Sequence, residues 1–303
     1  MAATTEASRG RREEPTAGEG APPRRPAGDR RRRGWLAWLW VVLGLVYTPV
    51  VTVIVLSFNA SRYGTLPFEP TTRWYSALAA NDALIAATGR SIVLASTVAV
   101  AAAVLGTALA LWMVRFAHAG ATVFTVLLTT AITVPWLILA VAMLLVANAA
   151  GLGRGLSLLF LGSLAVALPY VVLVVVARLQ GLGTELEDAA RSLGARPLTA
   201  FRLVTLPLIG KAVLGGTLLA FVITFNNFPI HFFLAPFGYN TLPMEIYTFV
   251  LSGYDPDINA LAAVLIGVAL TLGLLLLAVA RRRGGDPDGT GRIEDALRMG
   301  RDG

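Results

Sequence analysis

The side chains best suited to chemistry crowd into one short stretch, Thr224-Phe225-Asn226-Asn227-Phe228-Pro229-Ile230-His231. Two amides, a proline and an imidazole stand where the flanking sequence is apolar. Hydroxyl, amide and imidazole groups are neutral donors and acceptors. They can contact a polar solute in transit, or satisfy one another where water is absent. Read as one helix, Thr217, Thr224, Asn227 and His231 follow at steps of seven, three and four, which gathers them on one face. Two readings stay open for that face: a polar stripe lining a translocation path, or hydrogen-bonding glue between helices. Asn226 points away from it. Pro229 removes a backbone donor and disfavours helix at the residue before it, so Asn226 and Pro229 are read as a hinge. Pro135, preceded by Thr129, Thr130 and Thr133, is a second hinge candidate, with a kink as the favoured reading.

Other chemistries are poorly served. The chain has no cysteine, which excludes disulfides, thiolate ligands and thiol nucleophiles. The other histidine, His118, is expected on the opposite side of the membrane from His231, so no metal site is expected. Lys211, the sole lysine, is followed by Ala212 and lacks the Gly-x4-Gly-Lys-Ser/Thr frame of a phosphate-binding loop. No catalytic residue and no bound cofactor are expected.

The elements that must position these groups are membrane helices. Of 303 residues, 56% are hydrophobic and 14% charged, with a mean hydropathy of +0.69. Soluble domains average about 25% charged residues. Six segments reach the roughly 20 apolar residues that a crossing needs: about 35–57, 86–113, 121–148, 156–179, 211–236 and 259–280. With the N-terminus inside, cytoplasmic segments carry 21 of the 25 Lys and Arg residues, and the outer segments carry Arg62, Arg73, Arg90 and Arg154. That asymmetry predicts both termini in the cytoplasm. Arg90 is expected to snorkel to the outer surface. Residues 1–33, with nine arginines and many Pro, Gly and Ala, are expected to be a disordered tail, and 284–303 a second polar tail. The outer loop at 58–85 suits a short interfacial helix, and the outer loop at 237–258 carries Glu245, Asp255 and Asp257. The expected fold is an all-α integral membrane protein of six spans, occupying 34–283.

The inner loop at 180–210 carries the most pattern. Thr184 and Glu187 are spaced as a capping box. Glu185, Glu187 and Asp188 crowd the first turn and Arg191 follows, which suits the helix dipole. Gly194 can end that helix in the left-handed conformation. Pro197 can open the next turn, and Pro207 marks a further break. The residues alone leave two readings: a helix–turn–helix elbow with a small-residue turn, or a polar loop.

The segment resembles the EAA signature of the permease subunits of bacterial ABC importers. Asp188-Ala189-Ala190, three residues, Gly194, nine residues and Val204-Thr205-Leu206-Pro207 match Glu-Ala-Ala, Gly and Ile-x-Leu-Pro at the family's spacing. The resemblance implies a coupling helix between spans four and five that docks on a separate ATPase. Glu187, Asp188, Ala189, Ala190, Gly194, Ala195, Leu206 and Pro207 are the residues it nominates. It also implies ATP and Mg held by an ATPase dimer, a second homologous or identical permease, an extracytoplasmic solute-binding protein, and alternating access. Ser57-Phe58-Asn59, Trp74-Tyr75 and the stretch 240–266 are similar to the spermidine/putrescine-type group, which implies a polyamine substrate. Two departures go the other way: Trp136 follows Pro135, and Asn226-Asn227 stands where that group often has carboxylates. The alternatives are a permease for another small solute such as phosphonate or ferric iron, or an ion-coupled secondary transporter.

Overall fold

A computed structural model describes residues 28–61, 67–116, 120–252 and 257–283. Most of the first expected tail (1–27), all of the second (284–303), Arg62, His118 and Asp255 lie outside these residues. The described chain is helical, with one isolated bridge between Asn59 and Pro70. Two compact units divide it, Met1–Thr52 and Val53–Gly303.

Helix α1 (Gly28–Leu56) makes up the described part of the first unit and continues into the second. It takes in residues 28–33, which the sequence assigns to the tail. Arginine is a good helix former, and the apolar segment that follows extends the helix backwards through the basic run. Thr48 and Thr52 give their hydroxyls to the carbonyls of Gly44 and Thr48, four residues back.

In the second unit, α2 (Arg73–Ala79) is the short helix expected in the first outer loop. Helix α3 (Asp82–Arg115) opens on Asn81, whose side chain accepts the Leu84 N–H. Its 34 residues extend about 50 Å at 1.5 Å per residue. The hydrocarbon core is about 30 Å thick, so α3 runs well beyond the expected 86–113.

The expected third span is two helices, α4 (Ala121–Thr133) and α5 (Trp136–Ala149), meeting at 104°. Val134 is extended and Pro135 is the N-cap of α5, because a residue before proline avoids the helical region. Thr125, Thr129, Thr130 and Thr133 each bond the carbonyl four residues back, a habit that bends helices.

Helix α6 (Leu156–Gln180) precedes the loop at 180–210. That loop is mostly helical: α7 (Glu185–Ser192), a turn, α8 (Pro197–Ala200), a π turn at Phe201–Thr205, and α9 (Leu206–Phe225). Pro207 does not break the chain. The Leu206 N–H reaches back five residues to the Phe201 carbonyl, and the widened turn accommodates a ring that lacks a donor. Pro197–Phe225 therefore forms one apolar run of 29 residues. The expected span at 211–236 instead ends at Phe225, and α10 (Phe228–Leu234) follows after a break. Helix α11 (Leu242–Ser252) lies in the segment 237–258, expected to be an outer loop, and α12 (Asp257–Arg283) contains the sixth expected segment. By length and apolarity, four described helices suit a membrane crossing, or five when the bent pair counts as one.

The core lies where α3, α6 and α9 meet, around Val98, Ala102, Val171, Val172, Val175, Ile209 and Ala220. Gly106 of α3 and Gly216 of α9 both face Val171 of α6. A Cβ on Gly106 would lie 2.9 Å from Val171 Cγ1, and one on Gly216 would lie 3.3 Å from the Val171 Cα. In a membrane, helices associate by such close packing, because lipid tails remove most of the hydrophobic driving force.

Candidate functional site

Two polar regions interrupt the apolar bundle. The first is built around α7. Its C-terminus closes by a full Schellman motif: the Ala195 N–H reaches the Ala190 carbonyl at 3.0 Å, and the Gly194 N–H reaches Arg191 at 2.9 Å. Gly194 has φ 88°, a conformation that demands glycine although nothing crowds its Cβ position. The chain then reverses into Pro197. The expected elbow is there, and its small residues make the turn.

Its N-terminus differs from the expected capping box. Thr184 makes no side-chain cap. Glu187 instead turns back into the chain: Oε2 lies 3.3 Å from Nη2 of Arg115, the last residue of α3, and Oε1 accepts the hydroxyl of Thr205 in the π turn. Leu186, Asp188, Ala189, Leu193 and Gly194 are exposed, with Leu193 at 90%. Ala190 and Ala195 are half-buried, while Leu206 and Pro207 lie exposed on α9 and outside the elbow. Nearby, Arg178 Nε donates to the Leu208 carbonyl at 3.2 Å, which ties the end of α6 to the start of α9.

The second polar region is the stretch around Asn227. The single helical face expected for Thr217, Thr224, Asn227 and His231 does not exist, because the helix stops at Phe225. Proline cannot donate at 229, so the chain restarts, and Asn227 caps the new helix by accepting the Ile230 N–H at 3.1 Å. Asn226, exposed, gives its Nδ2 to the Val222 carbonyl at 3.0 Å, which also accepts its backbone N–H at 3.1 Å. His231 is fully buried, with Nδ1 2.9 Å from the Thr241 hydroxyl. Thr224 and Asn227 are buried as well, whereas Thr217 is half-buried and bonds the Val213 carbonyl. Thr224 Oγ1, Asn227 Nδ2, His231 Nε2 and Ser163 Oγ have no hydrogen-bond partner among the described residues.

This seam continues into the loop before α11. The Leu242 N–H reaches Ser91 Oγ of α3 at 2.8 Å. Arg90, expected to reach outward to the surface, donates to the Asn240 carbonyl at 3.4 Å and sits 5.5 Å from the Tyr239 ring. Asn240 in turn donates to Glu245 at 3.0 Å. Sequence reading missed the Arg115–Glu187–Thr205 and Ser91–Leu242 contacts, because each joins residues far apart in the chain. The clues were an arginine at the very end of an apolar run and a threonine in a segment ending at a proline.

Among the described residues no group of His, Asp and Glu is arranged to hold a metal. Long apolar helices packed through glycine, a charged elbow at one helix end and a neutral polar seam in the bundle are the parts of a membrane transport subunit. The match of residues 102–283 to the model of that family settles it: the chain belongs to the binding-protein-dependent transport system inner membrane components. It is a multi-pass membrane transport subunit and not an enzyme.

Relatives agree. The putrescine transport system permease protein PotI of Escherichia coli K12 is 36% identical over 249 residues, covering 78% of this chain and 89% of that protein. The spermidine/putrescine transport system permease protein PotC of Haemophilus influenzae is 31% identical over 246 residues, covering 81% and 96%. Among solved structures, a bacterial ABC transporter that imports the acidic polysaccharide alginate matches with TM-score 0.64 at 15% identity, covering 86% of this chain and 99% of that one. The methionine ABC transporter MetNI matches with TM-score 0.50 at 17% identity, covering 67% and 98%. These two likenesses concern the fold alone.

Proposed function

We propose that this chain is the permease subunit of an ATP-driven importer whose solute is a polyamine of the putrescine or spermidine type. The observation that carries the reading is the extent of the PotI and PotC matches, both above 30% identity over more than three quarters of the chain. On this reading the protein has six spans with both termini in the cytoplasm. α3, α6 and the run into α9 are crossings, the bent α4–α5 pair counts as one, and α1 and α12 complete the set. The arginine asymmetry supports the orientation.

The elbow is read as the coupling helix. Its exposed face, Leu186, Asp188, Ala189 and Leu193 around the Gly194 turn, offers apolar side chains and small residues that another backbone can approach closely. The partners are an ATPase dimer that holds ATP and Mg, a second permease, and an extracytoplasmic binding protein. The binding protein delivers the solute, ATP closes the ATPases, and the elbows move the helices. Thr217, Thr224, Asn227 and His231 are the candidates for the path. The unpaired Asn227 Nδ2 and His231 Nε2 support that role, since alternating access can uncover a buried seam. Pro135, Asn226 and Pro229 are the hinge candidates.

Copurification and uptake test the reading. An ATPase that stays bound to the unaltered chain and is lost on Gly194→Trp or Ala190→Trp supports it. Uptake of labelled putrescine that persists without any ATPase overturns it. Saturable uptake of molybdate and none of putrescine would retain the importer and replace the solute. A 29% identical probable molybdenum ABC transporter permease of Haloferax volcanii makes that the specific competitor.

A further inference from the structure

We propose that Arg115 and Thr205 are positioning residues of the coupling step: through Glu187 they clamp α7 to the end of α3 and to the π turn ahead of α9. The proposal rests on reading α7 as the ATPase contact. Helix α7 has eight residues and none of them is buried, so apolar packing cannot fix its orientation. Glu187 supplies what packing does not. Its side chain is 16% exposed, as is that of Arg115, and its two carboxylate oxygens are used by two different elements. Glu185 and Asp188, on the same first turn, are exposed. The pairing therefore selects one acid of three.

Thr205 gives the second reason. Thr48, Thr52, Thr88, Thr125, Thr129 and Thr217 all spend their hydroxyls on the carbonyl four residues back in their own helices. Thr205, 2% exposed, gives its hydroxyl to Glu187 instead. It lies in the π turn, where the regular ladder is interrupted, and such turns often occur at functional positions. Because charge-assisted hydrogen bonds are short and directional, a displacement of α7 passes directly to α3 and α9. The Leu193–Arg196 turn is not the only connection.

The test uses the full importer, with its second permease, ATPases and binding protein, in proteoliposomes. ATP hydrolysis and labelled putrescine uptake are measured together. Arg115→Ala and Thr205→Val are expected to lower uptake per ATP by about fivefold, the lower end of typical coupling between sites, while the ATPase still copurifies. Thr205→Ser restores the ratio. The paired reversal Arg115→Glu with Glu187→Arg recovers more than either reversal alone. Backbone hydrogen exchange across residues 185–192 of the purified chain, which needs no solute, rises in both lowering variants. A merely structural role reduces hydrolysis and uptake in proportion and leaves the ratio unchanged, which overturns the proposal. So does unchanged exchange across 185–192. If no ATPase copurifies even with the unaltered chain, the docking reading fails and takes the clamp with it; a retained ATPase with an unchanged ratio removes the clamp alone.

Discussion

The elbow at α7 and the seam at α10 solve the same problem with opposite chemistry. Each is a short helix, of eight and seven residues, but the elbow is held through Arg115 and Thr205 from other parts of the chain, whereas the seam is held by residues within about ten positions of it. The elbow is held by an ion pair at partly exposed positions, and the seam by an amide cap and an imidazole–hydroxyl contact at fully buried ones. Burying an unpaired charge costs far more than burying an amide. Formal charge therefore stays where water reaches, and neutral groups serve inside. The seam should consequently carry more stability per contact, and the elbow more sensitivity to solution conditions.

Asn227→Leu should break this contrast most forcefully. It removes the α10 cap and strands the Ile230 N–H in an apolar setting, at a cost of about 1–3 kcal/mol, read as a lower melting temperature of the detergent-purified chain. Thr241→Val, which deprives His231 Nδ1 of its partner, is expected to cost about 1 kcal/mol, in the range found for hydrogen bonds between membrane helices. Raising salt to about 1 M shortens the screening length to roughly 3 Å. Hydrogen exchange should then rise across 185–192 and stay unchanged across 228–234. Glu187→Gln should lower global stability by less than about 1 kcal/mol, as partly exposed pairs do. Asn226→Ala, at an exposed amide, should stay within about 0.5 kcal/mol of the unaltered chain. Should Asn227→Leu cost no more than Asn226→Ala, the seam is not the stabilising joint that the contrast requires.

What the sequence made legible follows from the range of the interactions involved. Apolar runs report helices, and Gly194 with Pro197 reports a turn, because these depend on residues a few positions apart. The bend at Pro135 was visible for the same reason. The π turn was not: Pro207 reads locally as a break, and only the pairing of Leu206 with Phe201 keeps the helix whole. The one helical face expected through Thr217, Thr224, Asn227 and His231 is interrupted for a related reason. Helical periodicity put Asn227 on the polar face and Asn226 at the hinge. Once Pro229 ends the ladder, periodicity no longer applies, and Asn227 becomes the cap while Asn226 remains exposed. Glu187 resembled its acidic neighbours until α3 brought Arg115 to it. No pattern in one segment could report that meeting.

Helix α3 has no proline and touches both joints, through Arg90 and Ser91 near one end and Arg115 at the other. Between them, Gly106 lies close against Val171 of α6, where an added Cβ would come within 2.9 Å of Val171 Cγ1. A stiff rod pivoting there has one arm of about 22 Å to Ser91 and one of about 14 Å to Arg115, at 1.5 Å per residue. The helix is then a lever of unequal arms. Were the helix to turn about that contact, a push at the elbow would reach the far loop reversed in direction and about 1.6 times larger.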